Sequence, residues 1–248
     1  GIAWNDFVSL SLNMGYQGLE NLTLIPGTLG AAPVQNIGAY GAELGDFLEY
    51  VEVIELQTGK VFILNTTDCS FGYRDSVFKK DLKGKILILS VTLRLNKKNE
   101  FNISYKDIRE KIGDKGTNSL TALEISKIVT GIRSSKLPDP EVTGNAGSVF
   151  KNPVIPDAEF ARMESLHGSI PSYALPGGQK KIPAAWLIEK CSWKGFRRGH
   201  VGVFEKQPLV LINVGNATGK EIYELVLEIR SSVYQKFNID LDMEINII

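Results

Sequence analysis

An α+β fold is predicted for this 248-residue chain by three features. Some windows carry apolar residues at helical spacing, and others carry strand-like apolar runs. The two kinds of window follow one another irregularly, without a repeated strand–helix unit. Clusters of Gly, Pro, Asn and Asp separate them. At roughly 150 residues per domain, the length allows one large or two small domains.

The elements read as follows. Trp4, Phe7, Val8 and Leu12 share a helical face, and Gly15 supplies the stop. Residues 25–41, IPGTLGAAPVQNIGAYG, hold Gly27, Gly30, Gly38 and Gly41 with Pro26 and Pro33, a composition that lets backbone approach something closely. VEVIELQTGKVFIL reads as a hairpin turning at Gly59, and Ile86–Leu95 as a buried or half-buried strand. Thr121 and Glu124 form a capping box ahead of a helix with Ile125, Ile128, Val129 and Ile132 on its apolar face. The turn-rich run 136–153 reads as the boundary between two lobes. Short helices are expected after Asp157 and after Pro183, and LVLIN (209–213) as a core strand. Thr218 and Glu221 cap a last helix that keeps its period through Ile222, Leu225, Val226, Ile229 and Val233. A strand from Ile239 to Ile247 is expected to close the chain.

Composition narrows the function. Lys+Arg and Asp+Glu are both 28, an even balance that argues against a dedicated nucleic-acid binder while leaving room for a local basic pocket. No apolar run approaches the ~20 residues that cross a bilayer, and no charged-then-apolar signal segment opens the chain. Two cysteines, Cys69 and Cys191, make a disulfide framework unexpected and suit a reducing compartment, so a cytoplasmic location is expected. Two histidines, His167 and His200, stand in no ligand spacing, so no metal site is expected. The first residue is Gly1 rather than Met, which reads as a processed or partial product.

Dinucleotide, P-loop, CxxC, HExxH and GxSxG motifs are absent; Gly219-Lys220 lacks P-loop spacing and reads as a helix start. Three other stretches stand out. The Gly-rich run 25–41 is either an irregular loop or a backbone cradle for a diphosphate. In FGYRDS (71–76), Arg74 is either a solvated charge or a planar donor to carboxylate or phosphate. In GNAGSVFKNP (144–153), Ser148 either caps a turn or presents an accessible hydroxyl.

These stretches, in this order, resemble the UDP-N-acetylenolpyruvoylglucosamine reductase family of bacterial cell-wall flavoenzymes. The likeness runs through GLENLTLIPG, PVQNIGAYG, FGYRDSVFK, SSKLPDP, GNAGSVFKNP, QPLVLIN and LDMEI, and SYKD matches the subclass with a substrate-covering tyrosine loop. The resemblance implies the remainder of a flavin-binding α/β lobe over residues 1–137 and a smaller α+β substrate-binding lobe over 138–248. A further N-terminal lobe with a glycine-rich flavin loop would precede Gly1.

It also implies FAD as cofactor and NADPH as reductant. The flavin contacts would include Ile25, Pro26, Gly27, Ala31 and Gln35 of the Gly-rich run. Asn36, Gly38 and Tyr40 continue that set, with Ile88 and Leu137 further along. Ser148, Arg74 and Glu244 match the catalytic positions: the serine gives a proton to the carbanion that hydride delivery creates, and the arginine attends the substrate carboxylate. Glu244 is either protonated or orients Arg74. Tyr105, Lys136, Asn152, Tyr173 and Gln207 match substrate contacts, the first two toward the diphosphate. Asn246 and Phe204 depart from the family, which favours an arginine and a polar residue there.

The expected reaction is reduction of UDP-N-acetylglucosamine enolpyruvate to UDP-N-acetylmuramate, by a monomer engaging neither membrane nor nucleic acid. Two other readings stand beside it: a non-catalytic remnant that binds a UDP-sugar, and an unrelated α+β binding domain.

Overall fold

The computed structural model describes residues 1–98, 100–113 and 120–247. Two compact units divide at Ser135/Lys136.

The first unit opens with α1 (Trp4–Asn13), which buries Trp4, Val8 and Leu12 as its spacing requires. Trp4 Nε1 donates to the Leu22 carbonyl at 2.8 Å, so the indole is fully buried yet satisfied. Gly15, at φ 81°, follows the helix end and donates to the Leu12 carbonyl. The Gly-rich run folds as a 3₁₀ helix, Leu29–Gln35, capped by Thr28. A small hairpin follows, β1 (Gly38–Ala39) and β2 (Ala42–Glu43). Its two-residue turn places Tyr40 at φ 51° and Gly41 at φ 82°, the pair of left-handed positions that a type I′ turn requires.

An antiparallel sheet of order β4-β3-β5 forms from β3 (Leu48–Glu55), β4 (Val61–Asn65) and β5 (Ile86–Leu93). The predicted hairpin is present, with Val61 facing Ile54 across a turn whose Gly59 has φ 72°. One face of this sheet buries Val51 and Val53 in the unit's core. The other leaves Val61, Ile63, Leu87 and Leu89 exposed, so β5 is open on one side rather than buried.

Helix α2 (Lys106–Ile112) and helix α3 (Ala122–Lys136) then build a second apolar cluster from Ile108, Ile112, Leu120, Ile125, Val129 and Ile132. The predicted box starts α3: Thr121 N donates to Glu124 Oε2 at 2.8 Å, and Glu124 N donates back to Thr121 Oγ1 at 3.2 Å.

In the second unit the order is β6 (Gly144–Ser148), β7 (Val154–Pro156), α4 (Asp157–His167), β8 (Tyr173–Leu175), β9 (Gln179–Lys181) and α5 (Ala184–Lys190). It continues through β10 (Arg197–Arg198), β11 (Val201–Val203), β12 (Val210–Asn213) and α6 (Gly219–Phe237). Two antiparallel sheets result, of orders β10-β11-β12-β6 and β7-β9-β8. Helix α6 starts at the predicted Thr218–Glu221 box and buries Leu225, Val226, Ile229 and Val233 in the core it shares with β11 and α5.

The turn-rich run 136–153 begins where the two units divide, and its centre is β6, paired to β12. One expectation is corrected. The closing strand Ile239–Ile247 reduces to one bridge, Phe150↔Met243. Lys151 N donates to the Asp242 carbonyl at 2.9 Å, and Glu244 N to the Val149 carbonyl at 2.7 Å. The partner segment ends at Pro153, which has no N–H to extend the ladder.

Candidate active site

In the first unit the site is built around a tight turn. Gly72 and Asp75 exchange backbone hydrogen bonds, 3.0 and 3.2 Å, and Arg74 sits at the tip with φ 54°. A left-handed arginine costs of order 1 kcal/mol, a local expense that persists only where surroundings impose it. Here the guanidinium lies over the Tyr73 ring at 5.5 Å and donates to the Gly38 carbonyl at 2.6 Å. Ser76, fully buried, fastens the turn to the Gly-rich run through Oγ donating to the Val34 carbonyl at 2.5 Å.

Asn36 is the second fastening. Its Nδ2 donates to Glu43 Oε2 at 2.7 Å and to the Gly72 carbonyl at 3.2 Å, and its Oδ1 accepts from Gly45 N at 2.8 Å. Its carboxamide is therefore occupied within the protein. Gly38 has no room for a side chain, since a Cβ would lie 2.9 Å from the Ala42 carbonyl oxygen and 3.0 Å from an Arg74 nitrogen.

Tyr40 points into a polar cluster. Its ring packs edge-on to Tyr105, centroids 5.0 Å apart, and the Arg133 charge on α3 lies near its hydroxyl. Burial pushes the phenol pKa up, and the nearby Arg133 charge partly opposes this. Burial also lowers the Arg133 pKa, with the Arg74 charge adding to the effect. Asn21, buried, holds the turn from below by donating to the Tyr40 carbonyl at 2.9 Å and the Asn102 carbonyl at 2.7 Å.

Ile25, Pro26 and Gly27 lead into the 3₁₀ helix, where Ala31 is exposed and Gln35 half-buried. A Cβ on Gly30 would meet the Ile88 carbonyl at 4.0 Å, so Ile88 lies beside this run. Leu137 is half-buried just past α3, in the second unit.

In the second unit, Ser148 ends β6 opposite Val210. The next residue, Val149, accepts at its carbonyl from Glu244 N, which sets the glutamate on the chain segment beside the serine. The Ser148 hydroxyl has no hydrogen-bond partner among the described residues. Gly147, at φ 73°, precedes it, and its N–H donates to Asn145 Oδ1 at 3.1 Å. Asn152 Oδ1 accepts from Ala184 N at 2.9 Å, and its Nδ2 meets no acceptor among the described residues. Tyr173 is exposed on β8, opposite Lys181, whose Nζ lies 5.9 Å from the ring centroid. Gln207 shapes the turn into β12, its Oε1 accepting from Leu209 N at 3.4 Å. Lys136 closes α3 and Tyr105 precedes α2.

Arg133, Asn21, Glu43 and Ser76 were missed by the sequence reading. No spacing rule marks an arginine on a helix, or a short amide within a 3₁₀ turn, as inward-facing.

Family models match two stretches: an FAD binding domain over residues 1–65, and the C-terminal domain of UDP-N-acetylenolpyruvoylglucosamine reductase over 139–248. The chain is 47% identical over its whole length to the UDP-N-acetylenolpyruvoylglucosamine reductase of Amoebophilus asiaticus, covering 73% of that protein. It belongs to the UDP-N-acetylenolpyruvoylglucosamine reductase family.

Other members of that reductase family agree. The Chromobacterium violaceum enzyme is 45% identical over 98% of this chain and 72% of its own length. The Pseudomonas fluorescens enzyme is 44% identical over 99% and 72%. The fold matches a crystal structure of UDP-N-acetylenolpyruvylglucosamine reductase from Thermus caldophilus with TM-score 0.67 at 23% identity, over 98% of this chain and 69% of that one. As a member of this reductase family the chain is an FAD-dependent oxidoreductase of peptidoglycan precursor synthesis, and NADPH is the family's reductant.

The residues present fit that cofactor. The amides of Ile25, Gly27 and Thr28 meet no acceptor among the described residues, and Gly27, at φ 113°, has open space where a Cβ would project. Such bare backbone suits a flavin diphosphate. No helix of the described residues is long and apolar enough to cross a membrane.

Proposed function

We propose that the chain reduces the enolpyruvyl ether of UDP-N-acetylglucosamine enolpyruvate to UDP-N-acetylmuramate, with NADPH as the source of reducing equivalents. When bound, FAD supplies the hydride-transfer chemistry. The protein supplies position, charge and one proton.

The observation that carries this reading is Ser148. Its hydroxyl ends a paired strand and has no partner among the described residues, neither a histidine nor a lysine to make it a nucleophile. An unengaged alcohol is a poor acid toward water but a competent one toward a carbanion. Ser148 Oγ–H gives its proton to the substrate carbon that bears the carboxylate. Arg74 is the anion-binding group toward that carboxylate, held in place by the Gly38 carbonyl and the Tyr73 ring. Glu244 is placed by its backbone bond to Val149 and serves the same step by orientation. Tyr105 and Lys136 address the diphosphate, Asn152 through its Nδ2 and Gln207 serve the sugar nucleotide, and Tyr173 covers the uridine side.

The test is stopped-flow on Ser148→Ala. NADPH reduces the bound flavin at the wild-type rate, while reoxidation by the enolpyruvyl substrate slows by about 10²–10⁴-fold. Unchanged reoxidation refutes the role. A chain that takes up UDP-N-acetylglucosamine in calorimetry but no flavin would be the binding remnant instead.

A further inference from the structure

Ser76 is polar, fully buried and engaged twice. Its Oγ donates to the Val34 carbonyl at 2.5 Å and accepts from Phe78 N at 3.2 Å. The second bond is an ordinary N-cap of the 3₁₀ turn Val77–Lys79. The first is not needed for that cap. It reaches a carbonyl 42 residues back in the chain, inside the Gly-rich run.

The bond to Val34 fixes the turn that precedes the serine. The same run holds Gly72–Asp75 at both ends. Asn36 Nδ2 donates to the Gly72 carbonyl at its start, and Ser76 donates to Val34 just past its end. Between these fastenings Arg74 is left-handed, at φ 54°, and its guanidinium donates to the Gly38 carbonyl. Backbone and side chain of Arg74 are therefore both registered against residues 34–38. An arginine side chain has many rotamers, so its fork keeps one place only while the backbone that carries it is also fixed.

We propose that Ser76 is a positioning residue for reduction of the enolpyruvyl substrate. Through Val34 it seats the Arg74 turn against the Gly-rich run, and so sets where the guanidinium meets the substrate carboxylate. The inference rests on the role proposed above for Arg74.

Stopped-flow on the flavin-loaded chain tests it with Ser76→Ala, Arg74→Met and the variant carrying both. In Ser76→Ala, NADPH is expected to reduce the flavin at the wild-type rate, while reoxidation by the enolpyruvyl substrate slows by about 10- to 100-fold. Arg74→Met slows reoxidation at least as much. The double variant is expected to be no slower than Arg74→Met alone, because a residue that acts through Arg74 has nothing left to position. A loss of the cap or of packing would instead add to the Arg74→Met defect. Wild-type reoxidation in Ser76→Ala, or additive losses in the double variant, overturns the inference and leaves the functional reading standing. Wild-type reoxidation in Arg74→Met overturns the role of the arginine and the inference with it, and so does a wild-type chain that takes up no flavin. If Ser76→Ala does not fold, Ser76→Cys, a weaker donor, takes its place in the same cycle and is read the same way.

Discussion

The Gly38 carbonyl accepts from the Arg74 guanidinium at 2.6 Å, and the same guanidinium occupies space that any side chain on residue 38 would enter. The glycine is therefore required both by the Ala42 carbonyl across the hairpin and by the arginine. Gly38→Ala is expected to displace the fork by several tenths of an ångström and to lower turnover of the enolpyruvyl substrate roughly 10- to 100-fold. Far-UV circular dichroism stays at wild type. Normal turnover in this variant would mean that Arg74 need not sit where Gly38 holds it.

Asn21 closes two carbonyls, those of Tyr40 and Asn102, in a buried position. Asn21→Ala strands both acceptors and is expected to cost about 1–3 kcal/mol. Urea unfolding gives the loss. FAD affinity falls with it, because the turn presenting Tyr40 loosens.

Glu20 is buried, and desolvation raises its carboxyl pKa above 4.5 despite a hydrogen bond from Gly18 N. Folding then favours the protonated form. That contribution to stability is complete below the unfolded-state pKa and is lost as pH rises through the folded-state value. Wild type is expected to lose stability across the window just above pH 4.5, and Glu20→Gln to remove that slope. Urea midpoints taken at half-unit pH steps decide it; parallel curves for the two proteins would contradict the assignment.

Cys69 is buried, and burial together with the Asp68 charge pushes its thiol pKa to about 11. At pH 8 only about one molecule in a thousand carries the thiolate. Iodoacetamide is expected to label half-buried Cys191 first and Cys69 only in urea, as read by peptide mass spectrometry. Equal labelling of both in native protein would place Cys69 at the surface.

Much of the scaffold was legible because its signals are local. Thr121–Glu124 and Thr218–Glu221 are capping boxes in sequence and in space, and the Gly59 hairpin forms where β-rich runs flank a turn residue. The closing strand failed for a non-local reason: its length was set by Pro153 on the partner segment, not by its own alternation. The candidate site residues came only from long motifs that gave positions, not from spacing or periodicity. What holds those positions was not legible, since Asn36, Asn21 and Arg133 act on residues up to 93 positions away (40 to 133) and nothing in their local context points there.

Between β6 and β12 the pairing advances from Asn145 to Ser148 on one strand while moving only from Ile212 to Val210 on the other. One surplus residue thus lies in the stretch just ahead of the serine. Removing it would make the ladder regular and take away the local kink that precedes the hydroxyl. A single-codon deletion between Asn145 and Ser148 is accordingly expected to lower turnover of the enolpyruvyl substrate while leaving a regular sheet.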